Sequence, residues 1–302
     1  MDLRQLAAIV AVADHRSFSA AARSLHTVQS NISTHVARLE RELGVTLVDR
    51  TSGRMTEEGV AVVDRARRVQ RELEALVADV AAVNSEITGT ARIGVIGTTA
   101  RWLVPRLLEA MAERYPRVQV VVVDATTTSL LPQLDASQLD LAVLALPVPD
   151  ADFEAEPLFC EDLILVAPDN HPLAHKERVT LQELAQHELL LEPPGTAFRD
   201  DIEQQASTAG VQLHTKAEVD GMRLLATLAF EGFGAAVLPA SASPRWSGIS
   251  AKVVAVDGLE GRRVGLVRRR RGLPSAPARA LAEVVVDVTK DVIGALPGIN
   301  PA

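Results

Sequence analysis

The chain has 302 residues, 47% of them hydrophobic and 23% charged, with a formal net charge of −8; that length exceeds one small core and suits roughly two or three domains. The acidic balance excludes a surface that binds polyanions all over, but leaves room for a local patch on one domain. A single cysteine, Cys160, excludes an internal disulfide and a two-cysteine redox switch within one chain. Its place in the apolar run from Leu158 to Val166 reads as a buried structural thiol.

The opening MDLRQLAAIVAVADHR is interrupted by Gln5 and Asp14 and has no charged leader followed by a cleavage site, so it does not read as a signal peptide. No later stretch reaches the roughly 18 apolar residues that a membrane span needs; the expectation is a cytoplasmic protein with no membrane partner. Leu3, Leu6, Ile9, Val10 and Ala13 form one face of a first helix. Ala20, Ala21 and Ala22 build a second, from about Ser19 to Leu25, whose small side chains let another helix come close. After a short break at His26 to Val28, Ile32, Val36, Leu39 and Leu43 set a third helix, with Gly44 where a C-terminal glycine belongs. Two helices joined by so short a turn make a helix-turn-helix. VTLVDRTSGRMT then reads as a strand, a tight turn at Ser52-Gly53 and a brief return, the outline of a wing.

From Glu57 to Thr88, the positions Val62, Ala66, Val69, Leu73, Leu76, Val80, Val83 and Ile87 repeat at steps of four and three. Thirty-odd helical residues span about 48 Å, too long and too one-sided for a helix inside a small domain, so they read as a dimerisation helix. Beyond Gly89, strand-like ARIGVIG, VQVVVVD and DLAVLAL alternate with helical segments at Trp102 to Arg114 and Leu130 to Gln138, the pattern of a mostly parallel sheet. A second set begins at DLILVAP and runs through HELLLEP, a helix near Ala197 to Ala209, TKAEVD, a helix near Met222 to Glu231, and GAAVLP. VGLVRRRR and a helix from Pro274 to about Ile293 return to the first set. The expected architecture is mixed α/β: a winged helix-turn-helix domain over residues 1–58, a linker helix over 59–88, and a two-lobed domain over 91–302, with lobe I at 91–161 and 268–302 and lobe II at 162–267.

The N-terminal residues SFSAAARSL (Ser17 to Leu25), Gln29, Ser33, LERELG (Leu39 to Gly44), Leu47, Arg50 and TEEG (Thr56 to Gly59) form a long ordered set that resembles the LysR-type transcriptional regulators. The resemblance covers nearly the whole chain. It implies a winged helix-turn-helix, a dimerising linker helix and a two-lobed effector domain of the periplasmic-binding-protein type, in dimers or tetramers that respond to a small molecule. RNA polymerase is a further candidate partner. The chain departs from the family pattern at Ser30, where proline is usual, at Val48, where an aromatic is usual, and in a wing shorter than usual.

With Ile32, Val36 and Leu39 turned inward, Gln29, Ser30, Ser33, Thr34 and Arg38 lie on or beside the opposite face, free to enter a major groove. Glutamine can bond an adenine edge bidentately and hydroxyls serve bases or phosphates. Arg50 and Arg54 flank the wing, where guanidinium groups reach phosphates or the minor groove. The competing reading is that the run from Gln29 to Thr34 merely caps a solvated helix. Arg65, Arg67, Arg68 and Arg71 read as a solvated helix face paired with Asp64, Glu72 and Glu74.

Ligands of two-lobed α/β domains bind at the carboxyl ends of strands, near helix N-termini that favour anions. Three places combine such ends with hydroxyls: Thr98-Thr99, the run Thr126-Thr127-Thr128-Ser129, and Gly195-Thr196. Arg101, Arg199 and Arg223 border similar turns and could bond a carboxylate or phosphate. The resemblance adds the turn at Asp220, Gly221 and Met222. The expected ligand is a small organic anion held by Thr98, Thr99, Arg101, Thr128, Ser129, Gly195, Thr196, Gly221 and Met222; each threonine could equally be an ordinary cap.

An enzyme is not indicated. GVIGTT lacks the third glycine of a dinucleotide loop and the Gly-Lys-Ser/Thr end of a phosphate loop. His171, His175, His187 and His214 match no zinc pattern, and Pro172 breaks the spacing of HPLAH. No cofactor or metal is implied. The reading is a transcriptional regulator that binds a double-stranded operator with two half-sites; the alternatives are a binding module without regulation and an architectural DNA binder.

Overall fold

The structure is a computed structural model that describes residues 1–50, 52–83, 86–148, 151–242 and 251–302. It divides into two units, Met1–Ser85 with Ala136–Gln138, and Glu86–Asp135 with Leu139–Ala302.

In the first unit, α1 (Leu3–His15) starts from a capping box: Asp2 Oδ1 accepts from the Arg4 and Gln5 amides, both at 2.9 Å, and Gln5 Oε1 accepts from the Asp2 amide at 2.9 Å. The Ser17 hydroxyl caps α2 (Phe18–Ser24), and α3 (Gln29–Leu43) stops at Gly44, whose φ of 72° suits glycine. Ile32, Val36 and Leu39 of α3 are fully buried with Ala8, Ile9, Val12 and Ala21, each large side chain contributing about 1.5–3 kcal/mol by leaving water. Glu40 ties α3 to the segment that follows, accepting from the Leu47 and Val48 amides at 2.9 and 3.3 Å. Of the expected wing strands, among the described residues there is a single antiparallel bridge, Val48 with Met55, closed by Asp49 N to Arg54 O at 2.9 Å. So short a hairpin has no room for two regular strands.

The linker helix α4 runs Glu57–Val83, shorter than the expected span. The Thr56 hydroxyl accepts from the Gly59 amide at 3.0 Å and donates to Thr46 O at 2.7 Å. Two heptad positions are taken by the N-terminal core rather than offered to a partner, since Ala66 is 2% exposed and Val62 packs against the same cluster. Ile87 is off the helix altogether; it packs against the core of the second unit, just ahead of the strand at Gly89. Val69, Leu73, Leu76, Val80 and Val83 remain exposed.

In the second unit the order is β1 (Gly89–Ile96), α5 (Gly97–Arg114), β2 (Val118–Ala125), α6 (Thr127–Asp135), β3 (Leu141–Ala145), β4 (Phe153–Glu161), β5 (Leu163–Pro168), β6 (Arg178–Thr180), α7 (Leu181–Leu184), β7 (Glu188–Leu191), α8 (Ala197–Thr208), β8 (His214–Glu218), α9 (Met222–Phe230), β9 (Ala236–Pro239), β10 (Ala251–Asp257), β11 (Arg262–Arg269), α10 (Ala276–Val292) and β12 (Ile299–Pro301). The first lobe is a six-stranded sheet ordered β12-β4-β11-β3-β1-β2; the second combines a four-stranded sheet, β6-β10-β5-β9, with the parallel pair β7-β8.

The expected mostly parallel sheet is instead mixed. β1 pairs in parallel with β2 and β3, while β11 is antiparallel to both β3 and β4. The chain leaves the first lobe along β4 and returns along β11, so the two strands must run in opposite directions. β11 lies in the first sheet along its whole length, which puts the return before Arg262 rather than at residue 268. Helices α5 and α6 begin earlier than the apolar spacing implied, so Thr98, Thr99, Thr128 and Ser129 sit in first helical turns rather than in loops. The apolar run around Cys160 is broken at Asp162, between β4 and β5, and Cys160 is half-buried rather than buried.

Candidate functional site

The third helix opens on Val28, which makes no side-chain cap, so Gln29 to Thr34 lie inside the helix and do not cap it. Gln29, Ser30, Thr34 and Arg38 are exposed and Ser33, nearer the packed face, is half-buried. The polar ends are held locally: Ser19 Oγ donates to Gln29 Oε1 at 2.7 Å, Asn31 Nδ2 to Thr27 Oγ1 at 2.9 Å, and Thr34 Oγ1 to Ser30 O at 2.8 Å. Asn31 and Ser19 belong to this face and were missed in the sequence, although they carry the same donor-and-acceptor signal. Ser30 is the second residue of the helix, a position where proline also fits. Arg54 is exposed. Arg50 is less free than expected: Nη2 donates to Glu40 Oε2 at 3.2 Å, and the guanidinium lies 5.8 Å from the Phe18 ring centre. Arg67 of the linker cluster pairs with Asp14 and, at 3.8 Å, with Asp64.

Within the second unit a cleft of about 440 Å³ opens between the lobes, well inside the range of small-molecule sites. The strand ends of β1, β2 and β3 supply Ile96, Asp124 and Ala145; Glu192 follows β7; Arg262 begins β11. The N-termini of α5, α8 and α9 face the same space, and none has a side-chain cap. Uncapped N–H groups and the helix dipole favour an anion there.

Of the expected ligand residues, Thr98, Thr196, Gly221 and Met222 line the cleft. Thr99 does not, being fully buried in the first lobe with its hydroxyl unpartnered. Thr128 and Ser129 are turned to the Thr126 hydroxyl, at 3.1 and 3.0 Å, and it is Thr126 and Thr127 that reach the cleft. The Gly195 amide is occupied by Asp200 Oδ1 at 3.0 Å. Arg101 is exposed outside the lining and donates to Ser241 O at 2.9 Å. Arg199 is buried within the second lobe, bonded to Glu192 O at 3.1 Å and Thr215 Oγ1 at 3.2 Å. Helix turning separates Thr98 from Thr99, because adjacent residues of a first turn point about 100° apart and only the first faces the cleft.

Four residues at or beside the cleft carry no mark in the sequence, Arg262, Glu161, Asp124 and Glu192, while the expected Arg223 does line it. Arg262 Nε donates to Glu161 Oε1 at 2.8 Å and Nη2 to Thr98 Oγ1 at 2.9 Å, and its guanidinium lies 5.9 Å from the Phe198 ring centre. Glu161 is fully buried; its second oxygen accepts from the Ser241 amide at 3.3 Å. The pair is formed by partners 101 residues apart, facing each other in the β4–β11 ladder beside the crossing between lobes. Asp124 pairs with Arg223 at 2.6 Å, joining the end of β2 to the start of α9. Glu192 is buried, and burial pushes its carboxyl above the ordinary glutamate value despite the Thr196 hydroxyl and the Arg262 charge.

The model of the bacterial regulatory helix-turn-helix protein, lysR family, matches residues 3–60, and that of the LysR substrate binding domain matches residues 84–290. The chain belongs to the LysR family. It is a DNA-binding transcriptional regulator with an effector-binding domain, in a family of regulators rather than enzymes. A probable hydrogen peroxide-inducible genes activator of Streptomyces viridosporus is 35% identical over 298 residues, covering 96% of this chain and 95% of that one. The DNA-binding transcriptional dual regulator OxyR of Escherichia coli is 34% identical over 246 residues, 81% of each chain. Full-length OxyR of Pseudomonas aeruginosa, solved as a cysteine variant, superposes with a TM-score of 0.73 at 26% identity, covering 96% and 95%. Among the described residues no helix is long and apolar enough to cross a membrane.

Proposed function

We propose that this LysR-family regulator reads an operator of two half-sites through residues 1–58, pairs through the linker helix, and responds to a small organic anion held between the lobes of residues 91–302. RNA polymerase is the further partner this reading expects. Gln29, Ser30, Ser33, Thr34 and Arg38 face bases, while Arg54, and Arg50 when it leaves Glu40, hold phosphates. Pairing falls to Val69, Leu73, Leu76, Val80 and Val83. The observation that carries the effector reading is the convergence of three uncapped helix N-termini on one cleft lined from both lobes. A ligand that contacts both lobes favours one disposition of them over another, and that difference in binding energy is the signal.

The response is to a reversibly bound ligand rather than to internal disulfide formation. The only cysteine, Cys160, has no partner in the chain, and burial pushes its thiol pKa up, away from the reactive thiolate. The peroxide response in the relatives' names therefore lacks a two-thiol switch here. The deciding experiment is a footprint on the chain's own operator with Gln29→Ala. An affinity loss of about tenfold or more with unchanged thermal stability supports base reading by α3; an unchanged footprint and affinity refute it.

A further inference from the structure

The charges that line the cleft are not balanced in the way a plain anion site requires. Both arginines are already engaged, Arg262 with Glu161 and Arg223 with Asp124. The remaining charged lining group is Glu192, 4% exposed; among the described residues its carboxyl forms no ion pair, Arg199 bonds only its backbone carbonyl, and the Arg262 charge that acts on it is already bound to Glu161. Its hydrogen-bonding neighbour is the Thr196 hydroxyl, whose single hydrogen is shared with the Pro193 carbonyl, 3.0 Å away. A buried carboxyl without an ion pair of its own is costly to keep charged, and it discriminates for a ligand that brings the missing donor. The uncapped starts of α5, α8 and α9 supply the complementary end, a set of free backbone N–H groups for an anion.

We infer that the effector is zwitterionic, an ammonium-bearing carboxylate of amino-acid size, whose carboxylate takes the helix N-termini and whose ammonium group pairs with Glu192. This rests on the cleft being the effector site and narrows its ligand class. Phe198, Met222 and Leu224 provide the apolar wall for the ligand's side chain. The Glu192 charge is met by the ligand's ammonium, so a carboxylate lacking that group leaves the buried acid uncompensated and binds more weakly. A bare amine forfeits the helix N-termini.

The test is a thermal-shift and calorimetric screen of the full-length protein with matched triads: phenylalanine, 3-phenylpropionate and phenethylamine; leucine, 4-methylpentanoate and isoamylamine. The expected result is that at least one amino acid binds more tightly than both of its partners, by at least about tenfold. In Glu192→Gln, an isosteric change, the advantage of the amino acid over its carboxylate disappears while carboxylate binding persists. Carboxylates that bind as well as their amino acids overturn the zwitterion proposal and leave the cleft reading standing. If no member of either triad binds, the zwitterion proposal is overturned and the cleft loses its support as an amino-acid-sized anion site. An amino-acid preference that survives Glu192→Gln also overturns the proposal.

Discussion

The buried ion pair at the crossing between the lobes is the most exacting place to perturb. Replacing Arg262 by methionine removes both bonds to Glu161 and the bond to Thr98 Oγ1, leaving a fully buried carboxyl whose remaining partner among the described residues is the Ser241 amide, at 3.3 Å. Breaking a buried pair from one side costs about 3–5 kcal/mol, because the remaining charge has lost its counterion and cannot reach water. For a unit of this size each kcal/mol moves the midpoint by roughly 2–4 °C, so Arg262→Met is expected to lower it by about 6–20 °C. Differential scanning calorimetry of the full-length protein reads this in the effector-domain transition. The double change Arg262→Met with Glu161→Leu restores much of the loss, since both charges are then gone and an apolar pair fills the space. A single-variant shift below about 2 °C, or a double variant no more stable than the single, refutes the counterion account.

Burial holds the Glu192 carboxyl above its ordinary value of 4.5, so the folded state keeps this proton to higher pH than the unfolded chain, and native stability falls as pH rises from 4.5 through the folded value. Glu192→Gln is therefore expected to raise the midpoint near pH 7, with the gain vanishing below pH 4.5; melting curves across pH check it, and a pH-independent gap contradicts it. Gly59→Ala would place a Cβ 2.0 Å from the Leu47 carbonyl oxygen, a backbone clash that costs the N-terminal unit about 1–3 kcal/mol or more; an unchanged urea midpoint argues against it. Leu76→Glu with Val80→Glu, at two positions 60% exposed, is expected to give monomers in sedimentation analysis and weaken operator binding. A persistent dimer in that variant removes the linker helix from the interface. Hydrogen peroxide is expected to leave operator binding by the wild type and by Cys160→Ser alike; a peroxide response abolished by the serine establishes thiol sensing instead.

Much of the N-terminal unit was legible because its signals are local. The spacing of Ile32, Val36 and Leu39, the glycine at 44 and the run of small polar side chains between them all act within one helix, where neighbours in sequence are neighbours in space. The linker repeat was equally plain, but the repeat alone does not say which of its positions are covered. Val62 and Ala66 carry the same apolar signal as Leu73 and Leu76, yet they are taken by the domain they leave, and Ile87 by the domain that follows. In the effector domain, β4 was hard to see because Glu154 to Pro157 are all exposed and Leu158 and Phe159 are buried side by side, so its residues show no apolar alternation.

By itself the sequence determined the helix-turn-helix, the long apolar repeat and the succession of strands and helices, since each depends on periodicity over a few turns. Only the tertiary structure decided which of the hydroxyls face the cleft, that α5, α8 and α9 point their starts into one space, and that the charges meet there. Glu161 and Arg262 are 101 residues apart and Asp124 and Arg223 come from different lobes. Glu192 is distinguished from any other surface-class glutamate only by the lobe that closes over it. Ion pairing and burial are properties of where the chain returns, and nothing local in the sequence encodes the return.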